Sequence, residues 1–60
     1  MSAQLQERIE ELNEELELAN KSLQTLIAMD SPDLEFQIQA ITDQINNITN
    51  EIASIMDAIN

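Results

Sequence analysis

Sixty residues make one small domain or a segment of a larger protein, a size at which a single apolar core is marginal without further support. The chain has no cysteine and no histidine, which excludes a disulfide, a thiolate metal site and imidazole acid–base chemistry. Twelve acidic residues against Arg8 and Lys21 give a net charge of −10, which repels nucleic acid and anionic lipid and leaves well-packed helix, or association with protein, to hold the chain together.

Glycine is absent, proline occurs once and the single aromatic residue is Phe36, a composition that suits long uninterrupted helices. The long apolar run of a membrane span and the basic-then-apolar start of a signal peptide are both missing, so a soluble, intracellular protein is expected.

The first element follows from an apolar repeat. Leu5, Ile9, Leu12, Leu16, Ala19, Leu23 and Leu26 are spaced alternately by four and three residues, a heptad seam with d at Leu5 and a at Ile9. Glu7, Glu10, Glu11, Glu14, Glu15 and Glu17 fall outside it, on faces that meet water. Ser2 suits an N-cap, and glutamates crowd the early turns, where the helix dipole favours negative charge. The spacing predicts a helix over about 3–29.

Asp30, Ser31, Pro32 and Asp33 then form a turn at about 30–33. The residue before a proline is pushed out of the α conformation, so Ser31 is a poor helix interior. Ser31 as N-cap with Pro32 at the first helical position and Asp33 and Glu35 in the first turn is instead a favourable start. In the middle of one continuous helix, proline costs roughly 3 kcal/mol.

After the turn, Leu34, Ile38, Ile41, Ile45, Ile48, Ile52, Ile55 and Ile59 resume the alternating spacing and predict a second helix over about 32–58. Asn46, Asn47, Thr49 and Asn50 are mediocre helix formers, so packing rather than propensity has to hold this half. The two seams match when folded back on each other. Leu26 pairs with Ile38, Leu23 with Ile41, Ala19 with Ile45, Leu16 with Ile48, Leu12 with Ile52, Ile9 with Ile55 and Leu5 with Ile59, and every pair is symmetric about Pro32. An unbroken heptad would place Asp30, Asp33 and Gln37 in the core. The fold class is therefore all-α: an antiparallel helical hairpin, or two-helix coiled coil, with Ala19 against Ile45 as its one thin layer.

Flanking positions suggest that two helices are not the end of it. The e and g sites of the second helix are Glu35, Gln37, Thr42, Gln44, Thr49, Glu51, Met56 and Ala58, mostly uncharged, whereas exposed sites of this kind usually carry opposite charges. Isoleucine at both a and d favours more than two strands. Apolar residues gather near the bend, and Ile27, Met29, Phe36 and Ala40 are the candidate partner interface, with Ala28 beside them and Leu18 also outside the seam. A dimer of hairpins, forming a four-helix bundle, is expected.

Chemical sites are not expected. Asp30, Asp33 and Glu35 lack the long oxygen-ligand run and central glycine of an EF-hand loop, and suit helix capping. The Glu10, Glu11, Glu14 and Glu15 cluster has no Glu-x-x-His partner, so it reads as a solvated face. Asn20-Lys21-Ser22 and Asn47-Ile48-Thr49 match the glycosylation triplet, which arises incidentally in asparagine-rich chains. With no nucleophile–base pair and no glycine-rich phosphate loop, neither an enzyme nor a cofactor or small-molecule substrate is expected.

The length, midpoint bend and two heptad helices resemble the dimeric hairpins of the repressor-of-primer family. Those bind RNA through basic and aromatic helix faces for which this chain has no matching positions, so that function does not carry over. The run Ile45-Asn46-Asn47-Ile48, repeated loosely onward, is similar to antiparallel regulatory coiled coils of kinesin stalks. Two functions follow as expectations: a structural and oligomerisation module, or a regulatory or recognition segment of a larger protein that docks a partner through its apolar tip or its acidic first helix.

Overall fold

A computed structural model describes residues 2–59. Helix α1 spans Ala3–Met29, a single 3-10 turn spans Pro32–Leu34, and helix α2 spans Glu35–Ile59. At 1.5 Å per residue α1 is about 40 Å long, nearly the whole 44 Å length of the molecule, so α2 has to run back alongside it. The chain is an all-α helical hairpin. Among the described residues, no helix is long and apolar enough to cross a membrane.

The start of α1 is held by Ser2, whose backbone is extended and whose hydroxyl accepts a hydrogen bond from the Leu5 amide at 3.2 Å. The first turn contains no acidic residue, contrary to the expected crowding of glutamates at the dipole; the acids begin at Glu7, one turn on. The free amides of this end therefore rely on the serine cap.

The bend is built from two contrasting backbones. Asp30 takes the left-handed conformation (φ 50°, ψ 47°), and its N–H donates to the Ile27 carbonyl at 3.1 Å, closing α1. Ser31 is extended (φ −115°, ψ 130°), as the following proline requires. Ser31 sits in the N-cap position but its side chain makes no capping hydrogen bond. The reason is the tight first turn: the Leu34 amide, which an N-cap hydroxyl would serve, donates to the Ser31 backbone carbonyl at 3.1 Å. The α-helix proper thus begins at Glu35, after the 3-10 turn, and continues through Ile59. Within the helices, the Thr25 and Thr42 hydroxyls donate to the carbonyls of Lys21 and Ile38, at 3.0 and 2.8 Å, which satisfies two residues that favour helices little.

The seam consists of two columns of side chains. One, the Leu12 column, contains Leu5, Leu12, Ala19, Leu26, Leu34, Ile41, Ile48 and Ile55; the other, the Ile9 column, contains Ile9, Leu16, Leu23, Ile38, Ile45, Ile52 and Ile59. All but Leu5 and Ile59, at the open end, are buried or half-buried. Outside the seam only Arg8, Ser31 and Thr42 are less than exposed among the described residues. The columns differ, however. Leu12, fully buried, and Ala19 and Ile48 belong to the first column and are the buried core. No member of the Ile9 column is buried.

Candidate association surface

Helical geometry gives the hairpin two flanks, one beside each column. Arg8, Glu15 and Ser22 of α1 lie beside the Leu12 column, as do Gln37, Gln44 and Glu51 of α2. The geometry at the bridge and the groove bears this out. Arg8 reaches across the seam: its Nη2 and Nε donate to Glu51 Oε1 at 2.8 and 3.2 Å, while Nη1 donates to Glu11 Oε2 at 3.2 Å. This is the one ion pair between the helices among the described residues; Lys21 pairs with Glu17 at 3.7 Å within α1. The Glu51 hydrogen bond, followed by the one from Glu11, raises the Arg8 guanidinium above its ordinary pKa. A raised cationic group stabilises below its ordinary value and loses that contribution only as the pH rises past the higher one, so the arginine stays charged throughout the ordinary pH range.

Arg8 stands one turn before Leu12 and Glu51 one turn after Ile48, so the bridge roofs the flank over the two large buried residues. The arginine stem adds apolar cover as well as charge. Towards the bend the same flank opens into a shallow groove between Ser22, Thr25 and Leu26 on α1 and Gln37, Ala40 and Ile41 on α2, with Lys21 at its edge. It continues over Leu18 and Ala19 to Glu15 and Gln44.

The opposite flank lies beside the Ile9 column. Gln6, Asn13, Asn20 and Ile27 of α1 share it with Glu35, Thr42, Thr49 and Met56 of α2. No bridge closes it, and Glu35, at the bend, is its one charged member.

The four candidate interface residues do not form one patch. Ala40 lines the groove on the Arg8 flank. Ile27 and Phe36 line separate clefts that share Ile38, one with Pro32 and Ser31 and the other with Glu35 and Gln39. Met29, two positions after Ile27 and so about 200° round the helix, points away from it. Ile27 is 58% exposed and Phe36 89%, and Met29 is also exposed. Asp30, Ser31, Pro32 and Asp33 form the bend, held by the backbone hydrogen bonds from Asp30 to Ile27 and from Leu34 to Ser31. Among the described residues no group of three or more acidic, histidine or cysteine side chains is placed to hold a metal ion. Sequence reasoning missed the Arg8–Glu51 bridge; the signal was there, since Arg8 is the lone arginine and sits at the edge of the seam, across from a glutamate.

Fold and surface together define a small acidic helical hairpin with one flank bridged by Arg8 and Glu51 near its open end and the other unbridged. Comparison with protein-family models, with curated proteins and with solved structures finds no match to the chain.

Proposed function

We propose that the hairpin is a non-enzymatic structural module whose work is association: two copies pair, each completing the cover of the other's seam, to form a four-helix bundle of coiled-coil type. The observation that carries this reading is the thinness of the core. Among the described residues three are buried, the rest of the seam is half-covered or, at Leu5 and Ile59, exposed, and Leu18, Ile27, Met29, Phe36 and Met56 are large apolar side chains left in water. Apolar surface of this extent on so small a chain favours a protein partner, while a net charge of −10 disfavours nucleic acid and anionic membrane as partners. The reading includes no catalytic step, cofactor or small-molecule substrate. Light scattering coupled to size exclusion tests it. A mass twice the 6.8 kDa of one chain is expected, and 6.8 kDa persisting at high concentration overturns it.

One observation favours a second reading, in which the hairpin is a recognition or regulatory segment that docks a different protein. Phe36, the single aromatic residue, is nearly fully exposed one turn past the bend, and Ile27 is exposed one turn before it. A stable monomer with this tip open to solvent would support that reading over the first.

A further inference from the structure

We propose that two copies dock through the bend half of the Arg8 flank, head to tail about a two-fold axis that runs crosswise over the shallow groove, so that Leu18 of each hairpin meets Met29 of the other and Ala40 meets its own copy. This rests on the self-association reading above and names the surface and direction that reading leaves unassigned. Three observations carry it.

The first is where the exposed apolar residues stand. Met29 follows Ser22 by two helical turns and so lies on the Arg8 flank, where Leu18 lines the cleft beside Ala19 and Ser22. Leu18 is 65% exposed and Met29 60%. Both belong to α1. A crosswise two-fold lays α1 against α1 of the second copy in the opposite direction, so an axis midway between the two residues brings each onto the other, twice. The unbridged flank offers no such pair, because Ile27 belongs to α1 and Met56 to α2. A crosswise axis there sets them on diagonally opposite helices, and an axis along the hairpin sets them at opposite ends.

The second is shape. Midway between Leu18 and Met29, α1 carries Ser22 and Thr25, and α2 at the same level carries Ala40 and Ile41. These residues line the groove, with Leu26 and Gln37. Small side chains at a helix contact let the axes approach closely, and the half-buried Leu26 and Ile41 at the groove gain the cover that one hairpin does not supply. About the same axis Ser22 stands level with Thr25 of the other copy, and Gln37 with Gln44. The overlap spans about half the 44 Å length and the 15 Å width, a footprint of roughly 330 Å² per copy against the about 800 Å² of a standard interface. The pair is therefore weak and forms as concentration rises.

The third is charge. Between Leu18 and Met29 the centre of this flank holds no charged residue; Lys21 stands at the groove's edge, paired with Glu17, and Asp43 lies outside it, accepting from Gln39. The charges bound the overlap instead. Glu15, Glu51, Glu11 and Arg8 lie at one end, and Asp30 and Asp33 at the other. Head to tail, the aspartates of each bend approach Glu15 and Glu51 of the other copy, which stops the overlap there and makes salt favour the pair. The acidic stretches from Glu7 to Glu17 project from opposite ends. A full-length pairing through the unbridged flank would instead bring Glu10, Glu17 and Glu35 of both copies to the contact.

A single cysteine tests the geometry, because one position links to its own copy only where it lies at the axis. At a concentration where the wild type is paired, Ala40→Cys is expected to give a covalent dimer on mild oxidation, and Asn46→Cys, one turn from Thr42 on the unbridged flank, to stay unlinked. If the wild type pairs but Ala40→Cys stays unlinked, or Asn46→Cys links as fast, the docking is wrong while self-association stands. A wild type that stays monomeric at high concentration removes both. Charge coupling gives a readout that needs no oxidation. Leu18→Glu and Met29→Lys are each placed at an exposed position and leave the hairpin folded. Leu18→Glu is expected to weaken pairing several-fold, and adding Met29→Lys to restore more than its effect on the wild type accounts for. Within one chain the two positions are about 16 Å apart, so the coupling has to arise between chains. Strictly independent effects overturn the proposed contact.

Discussion

Leu12 and Phe36 are the extremes among the large apolar side chains described, the one sealed and the other almost free. Truncating Leu12 to alanine removes fully buried methyl groups from a core with few others, and is expected to destabilise by about 2–5 kcal/mol in urea unfolding. Phe36→Ala removes a ring that touches little within one hairpin, so the stability of a single hairpin should hold within about 0.5 kcal/mol. A larger effect, or one that grows with protein concentration, would place Phe36 against a partner. Arg8 acts through both its charge and its stem. Arg8→Ala is expected to lower the melting temperature and to expose Leu12 and Ile48 to solvent, visible as faster amide exchange in their turns. Because the bridge is partly exposed, added salt should weaken its effect without abolishing it.

The helices are set by their ends as much as by their seam. Ser2→Ala removes the hydroxyl acceptor of the Leu5 amide and is expected to cost about 1 kcal/mol and fray the first turn. Ser31→Ala should do far less, since that hydroxyl caps nothing. At Asp30 the left-handed backbone (φ 50°) is the constraint. Asp30→Val, with a branched β-carbon, is expected to destabilise by about 1 kcal/mol or more, whereas Asp30→Gly is expected to be neutral or stabilising; equal effects would mean that the bend adapts.

At this scale much of the hairpin was legible in the sequence. Alternating spacing selects the covered side of a helix, and the symmetry of both repeats about Pro32 fixes where the chain returns. The fine structure of the bend was not legible, because α and 3-10 first turns use the same residues and differ only in which acceptor the Leu34 amide finds. Nor was the inequality of the two columns, to which the side chain reaching from Arg8 to Glu51 contributes over Leu12 and Ile48 and which no period in the sequence encodes.

For the whole molecule the governing fact is an apolar seam thinly covered in a chain of net charge −10. Burial of apolar surface favours pairing and like charge opposes it. Raising the salt concentration should therefore tighten the proposed pair, the opposite of its effect on the Arg8–Glu51 bridge, and a sedimentation series in salt would separate the two. If folding and pairing are coupled, stability belongs to the pair and depends on how much chain is present. The direct measurement is the thermal midpoint by circular dichroism across a wide range of protein concentration. A midpoint that climbs steadily with concentration is predicted; one that stays fixed while the mass remains that of a single chain contradicts the account.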